Sequence, residues 1–441
     1  MTLSRSILCT LVPLALVVLG GCDAVFGSKS DPTTDEIFRQ GQTDPTLVDD
    51  VGYVPLSPAY TQGAGGPFDR PVDVYVGYDE YIYVADARGV HVLDLAGRPQ
   101  AVLSEVAGQP LRDITAIVQD RKLDLYVAAR RYTTVAGARC PSSGGGEACD
   151  LAVVYRIAGL TTGAPRVADI LWHPFDDDSR RFSRYALPDV YATGASDEDV
   201  SFSGVATLAD NRLYVTRRGP VNNAASGRPS QAFSPFNAFL QYTAEGDYIQ
   251  YVRALTPDRA SLLSAYYPAD VVTFVGPPQR ATASDSEDFL LALAPPAGEP
   301  VPTYGVVSVQ VVETTDGIEY RVDSRRLGAA GSGVGEGALF EPGQFRRPSS
   351  LAYAPDQTGY LFVLDATKDS LFVFNQNGIE GVAPPPGAGT TEPIKASFGG
   401  TGAGPLQFSG PQGVAYYQRV VYVADTGNNR VSRFRLNTDF E

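Results

Sequence analysis

Hydrophobic and polar positions alternate with a period of two through most of the chain. The clearest run is PVDVYVGYDEYIYVADARGVHVLDLAG (71–97), which reads as three strands separated by two short polar turns. PSSLAYAPDQTGYLFVLDATKDSLFVFNQNG (348–378) and PQGVAYYQRVVYVADTGNNRVSRFRLN (411–437) repeat it. Each opens on a proline and places YVAD or FVLD in its second strand. Three weaker copies keep the rhythm. One is LRDITAIVQDRKLDLYVAARRY, resuming at LAVVYRIAG, and another is VSFSGVATLADNRLYVTRRG, resuming at NAFLQYTAEGDYIQYVRAL. The third combines YPADVVTFVG, DFLLALAPP and YGVVSVQVVETTDGIEYRVDSRRL. A unit of three or four short strands cannot bury both faces alone, whereas units stacked radially about an axis bury them against one another. The predicted fold is all-β, a six-bladed β-propeller.

VYVADTGNNRVSRF resembles the NHL-repeat family of propellers. So do the Gly-rich, Phe-containing lead-ins QGAGGPFDRPVDV, GEGALFEPGQFRRPSSL and GAGPLQFSGPQGV. The resemblance covers nearly all of residues 50–441 and implies protein–protein recognition. The middle units depart from the pattern. Where the strong units carry Asp86, Asp365 and Asp425, they carry Ala129, Arg217 and Leu293. The last unit runs out after its third strand. VGYVPLSPAY (51–60) precedes the first complete unit and has strand character. It is therefore expected to join the C-terminal blade as its outer strand and close the ring, with a plain lead-in loop as the alternative.

The 45 Gly and 33 Pro among 441 residues suit an architecture rich in turns. A net charge of −15 argues against a nucleic-acid partner. The N-terminus, MTLSRSILCTLVPLALVVLGGC, has one arginine and a short apolar run and reads as an export signal. Its closing LGGC resembles the bacterial lipoprotein cleavage box, which implies that residues 1–21 are removed and Cys22 is lipidated. The alternative is a plain secretory signal. Residues 22–50 read as a polar tether and 51–441 as the propeller. The expected place is the bacterial cell envelope, on the periplasmic or cell-surface side, with the membrane reached through the lipid anchor. Export favours a disulfide between Cys140 and Cys149 in ARCPSSGGGEACD, since no histidine or second cysteine pair accompanies them as metal ligands.

In antiparallel blades, second-to-third turns share a face with the crossings between units, here termed the crossing face. The remaining turns share the opposite, turn face. The long insertions collect on the crossing face: RRYTTVAGARCPSSGGGEACD, HPFDDDSRRFSRYALPDVYATGASDEDV, RRGPVNNAASGRPSQAFSPF and GAAGSGVGEGALFEPGQFRR. The turn face has Gly-ended turns such as DLAG, TAEG, TTDG and NQNG, and one longer segment, GPPQRATASDSED. Arg130, Arg131, Trp172, Phe175, Phe182, Tyr185, Arg217, Arg218, Phe233 and Phe236 fall in or beside the insertions. Arginine and aromatic side chains make good interface anchors. The expectation is a lipid-anchored binding scaffold with a protein or glycan partner and no cofactor. The alternative is a calcium-type hydrolase or lyase at the mouth of the central channel. His91 and His173, the only two histidines, cannot supply the three imidazoles of a zinc site. No nucleophile elbow or P-loop is present. DTGNN (425–429) has the composition of a polar turn, not of a site.

Overall fold

A computed structural model describes residues 51–135, 140–172, 197–219, 237–277, 286–327 and 337–440. Val51–Pro384 and Thr390–Glu441 form one compact unit. It contains six four-stranded antiparallel sheets, the blades of a propeller. Blade one is Asp73–Val76, Ile82–Asp86, Gly89–Leu93 and Pro99–Leu103. Blade two is Arg112–Gln119, Leu125–Thr134, Ala148–Ala158 and Arg166–Trp172. Blade three is Ser201–Thr207, Leu213–Arg218, Ala238–Tyr242 and Tyr248–Tyr251. Blade four is Pro268–Thr273, Phe289–Leu293, Val306–Thr314 and Gly317–Val322. Blade five is Pro348–Tyr353, Leu361–Asp365, Ser370–Phe374 and Phe398–Gly399. In blade six, Gly413–Tyr417, Val420–Asp425 and Arg430–Leu436 are joined by Tyr53–Pro55 from the other end of the chain, with Tyr53 opposite Leu436.

The middle strands are buried along their whole length, as in Ile82–Asp86, Phe289–Leu293 and Leu361–Asp365. Neighbouring blades cover both faces of these strands, so both side-chain sets of the alternation must be apolar. Apolar clusters fill the spaces between blades. Tyr83, Ile117 and Val127 join blades one and two, and Val118, Val205 and Val215 join two and three. Phe239, Phe289 and Leu361 belong to a cluster running through three, four and five, where the first two rings stack 4.2 Å apart. Phe362, Val414 and Phe434 join five and six. Val74, Val84, Ala415 and Val431 join six back to one. Outer strands are more open, as in Gly317–Val322.

One connection differs from the sequence expectation. The NQNG turn of blade five is not followed at once by a fourth strand. That strand is only Phe398–Gly399, and the chain from 375 to 397 intervenes on the turn face. Isolated bridges Phe374–Glu380 and Val382–Ile394 stabilise part of it. A two-residue outer strand gives little periodic signal, which is why the pattern suggested a tight turn. Among the described residues, no helix is long and apolar enough to cross a membrane.

Candidate functional site

The six first strands surround the axis and line a cavity of about 70 Å³. One position recurs on each of them, taken up by Asp73, Ala116, Gly204, Asp270, Ser350 and Gly413, which pair with the same level of the second strand. Asp73 and Asp270 sit on blades one and four, opposite one another around the ring. Each carboxylate reaches to the next blade. Asp73 accepts from the N–H of Val74 and of Ile117, both at 2.8 Å. Asp270 accepts from the N–H groups of Val271 and Leu351 at 2.8 Å and from the Ser350 hydroxyl at 2.9 Å. Ser350 Oγ in turn accepts from Val414 N–H of blade six.

Both residues are half-buried where they line the channel, and loss of hydration raises both pKa values. For Asp73 the rise is large and the Asp270 charge adds to it, against the lowering by the Ile117 and Val74 N–H groups. Asp270 is raised to about 6, with the three donors limiting the effect of burial. Sequence reading missed this seam, although aligning the six first strands by their shared pairing would have exposed it. Its oxygens point at backbone donors of neighbouring blades, a structural use of carboxylates. Among the described residues, no group of three or more His, Cys, Asp or Glu could hold a metal ion. On the turn face the channel opens into a second cavity, of about 80 Å³, flanked by Tyr75, Tyr353, Tyr416, Pro277 and Pro355.

The crossing face carries the second and third strands of blade two well beyond those of its neighbours. Leu125–Thr134 and Ala148–Ala158 pair as far as Thr134 opposite Ala148. The Cys140–Cys149 disulfide closes the tip, with Cα atoms 5.2 Å apart, and both sulfurs are buried against Val135 and Leu151. Glu198, in the approach to blade three, anchors this hairpin by accepting from the Ser142 N–H, the Ser142 hydroxyl and the Asp150 N–H.

Arg130 lies at the root of the hairpin and works within the frame. Its guanidinium donates to the Val200, Asp150 and Glu198 carbonyls at 2.8, 2.6 and 2.7 Å and pairs with the Asp150 carboxylate. Arg131 is half-buried on the opposite side of the strand. Arg217 is fully buried. It cannot be a surface anchor, because it occupies the inward-facing strand-end position that Asp86, Asp365 and Asp425 fill elsewhere. Arg218 is half-buried, and its Nε donates to the Pro268 carbonyl at 2.6 Å, at the start of blade four's first strand. Trp172 ends the fourth strand of blade two. Cys22, Phe175, Phe182, Tyr185, Phe233, Phe236 and His173 lie outside the described residues.

The strand-end aspartates hold the lead-in loops. Asp365 accepts from the Arg346, Thr367 and Lys368 N–H groups. Asp425 accepts from Ser409 N–H and pairs with Arg430, while Asn429 takes a left-handed conformation at φ 52°. DTGNN is therefore a turn. Asp86 accepts from the Asp69 and Arg88 N–H groups, and Nε2 of the buried His91 lies 3.0 Å away. Burial would raise the Asp86 pKa, but His91 and these donors together hold it below the ordinary carboxylate value.

The sheets and the axial channel define the class as a six-bladed β-propeller. Its last blade is an NHL repeat: the model of that repeat matches residues 408–434, from the lead-in Phe408 through most of the third strand. No curated protein matches significantly. Among solved structures, an auxiliary nutrient binding protein from Bacteroides thetaiotaomicron is 9% identical, with a TM-score of 0.47, over 90% of this chain and 74% of that one. An aldose sugar dehydrogenase from Streptomyces coelicolor is 12% identical, with a TM-score of 0.41, over 88% and 99%. A streptogramin B lyase is 9% identical, with a TM-score of 0.39, over 88% and 97%. At these identities the likenesses concern the fold alone.

Proposed function

We propose that this protein is a binding scaffold that presents the crossing face of its propeller to a protein or glycan partner and is held in the cell envelope by lipid on Cys22. The observation that carries this reading is the gathering of most long connections of the rigid ring on the crossing face, against 375–397 and the connection from Thr273 to Phe289 on the turn face. Thr134 to Ala148, Trp172 to Ser201, Arg218 to Ala238 and Val322 to Pro348 all leave from and return to that face. Long connections on a rigid frame are the usual carriers of recognition. Arg131, Trp172 and Arg218 stand at the roots of these connections, while Phe175, Phe233 and Phe236 belong to them by sequence.

Replacing residues 220–236 with a short Gly-Ser linker tests the reading. The variant should keep the wild-type melting temperature and lose capture of the partner that wild type retains from solubilised envelope. Unchanged capture would exclude this face. For the anchor, Cys22→Ala should abolish incorporation of labelled fatty acid. Incorporation equal to wild type would refute the lipid assignment.

A further inference from the structure

The crossing-face mouth of the channel brings two arginines together without a carboxylate partner among the described residues. Arg218 ends the second strand of blade three, and its Nε is fixed on the Pro268 carbonyl where blade four's first strand begins. Arg347 directly precedes Pro348, where blade five's first strand begins, and its backbone N–H is held by Asp365. The first strands of these blades pack side by side around the axis, so both guanidinium groups belong to one sector of the mouth. Arg347 is exposed and its side chain makes no hydrogen bond among the described residues. Neither arginine has a carboxylate partner there, whereas Arg112, Arg130, Arg212, Arg325 and Arg430 each have one. Burial, with Arg347 beside it, lowers the Arg218 pKa to about 10.

In a chain of net charge −15, an uncompensated cationic pair is contrary to the general field of the molecule. Holding it costs Coulomb repulsion and desolvation, which an anion between the two groups would relieve. Guanidinium forks bind planar or tetrahedral oxyanions through paired N–H···O bonds. Deeper in the channel stand Asp73 and Asp270, which would stop an anion at the mouth. We propose that Arg218 and Arg347 form an oxyanion-binding site at the crossing-face mouth of the channel, one that takes a carboxylate or phosphate group of the bound partner. This inference rests on the reading of that face as the binding face.

Calorimetric titration of the full-length protein with inorganic phosphate, and separately with succinate, tests the site against sodium chloride at matched ionic strength. Saturable binding of one or both is expected, and the arm that binds identifies the anion. Arg347→Ala, which removes no side-chain hydrogen bond among the described residues, should weaken binding by at least about tenfold. Arg218→Gln should weaken it similarly, with folding checked by thermal unfolding. Arg321→Ala, on the outer strand of blade four, should leave it unchanged. No saturable binding of either anion, or binding equal in wild type and Arg347→Ala, would overturn the proposal. Replacement of 220–236 distinguishes the two readings: lost partner capture with retained anion binding supports the site, while retained capture with lost anion binding in Arg347→Ala overturns only the assignment of the face.

Discussion

Replacing Asp270 with asparagine should stabilise the protein at neutral pH and do progressively less as the solution is acidified. In the folded chain the Asp270 pKa stands at about 6, against an ordinary 3.8. An acid whose folded pKa is raised binds its proton more tightly in the folded state. Its contribution is therefore most favourable below the unfolded value near 3.8, declines as pH rises towards 6, and is a constant penalty above that. Every tenfold gain in proton affinity on folding corresponds to about 1.4 kcal/mol, so the full penalty is about 3 kcal/mol. Water in the channel screens part of it, which leaves about 1–3 kcal/mol.

Asparagine carries no charge at any of these pH values. Its carbonyl oxygen can still accept from both Leu351 N–H and the Ser350 hydroxyl, which share Oδ2, while the acceptor used by the Val271 N–H is lost, at a cost of about 1 kcal/mol. That cost is independent of pH, so the diagnostic quantity is the change in the stability difference and not its absolute value. Urea unfolding of wild type and Asp270→Asn at half-unit steps from pH 4 to pH 8 would measure it. The difference should move in favour of the variant by about 1–3 kcal/mol between pH 4 and 7 and then level off. A difference that stays flat across the range would refute the account of a carboxylate destabilised by burial in the seam.

Three further outcomes follow from the packing. Phe289→Ala removes a ring stacked on Phe239 in the cluster shared by blades three, four and five, and should cost about 3–5 kcal/mol, read from urea midpoints. Converting Cys140 and Cys149 together to serine opens a loop with a sequence separation of 9, worth about 2–3 kcal/mol in chain entropy. Hydrogen exchange should quicken at the hairpin tip more than in blades four to six, and uniform acceleration would contradict a local role. Glu198→Gln keeps one acceptor for the hairpin but removes the charge, and should raise protease cleavage within 140–149 without lowering the melting temperature of the ring.

The fold was legible because a propeller is written locally. The alternating strands, the turns and the aspartates that hold lead-in loops all fall within single units, as Asp365 shows by binding the N–H groups of Arg346 and Thr367. The middle units hid their membership because another device replaces that aspartate. Arg130 of blade two ties the approach to blade three instead, through the Val200 and Glu198 carbonyls about 70 residues further on, a separation at which no periodic signal survives. Function was legible only as placement. Arg130 and Arg217 read as anchors because arginine beside a long loop often projects into solvent, but an Arg at a strand end can equally turn inward, and composition does not say which. Arg347 gives no signal of its own because it lies in a lead-in that resembles those of the other strong units. Its lack of a carboxylate partner among the described residues emerges only when the blades are assembled.

The inner seam shows why sequence reading failed there and what the fold demands. In ring order, from blade six through blade five, the recurring position reads Gly413, Asp73, Ala116, Gly204, Asp270 and Ser350. A glycine precedes each aspartate, giving a pseudo-repeat of three blades within the repeat of one. The reason is close approach. A Cβ on Gly413 would lie 2.6 Å from Asp73 Cα, and one on Gly204 would lie 2.8 Å from Asp270 Cα. Both obstacles are backbone, which cannot swing aside. The glycines let the aspartate-bearing strands come in far enough for each carboxylate to span to the next blade. Gly413→Ala and Gly204→Ala should therefore each push a blade outward and cost about 2 kcal/mol or more, seen as a lowered melting temperature. Shortening the neighbouring carboxylate, as in Asp73→Ala, should not rescue Gly413→Ala, because the clash is with the main chain. If Gly413→Ala melted like wild type, the blades would have room to part, and the close approach could not be what sets this pattern of glycine and aspartate.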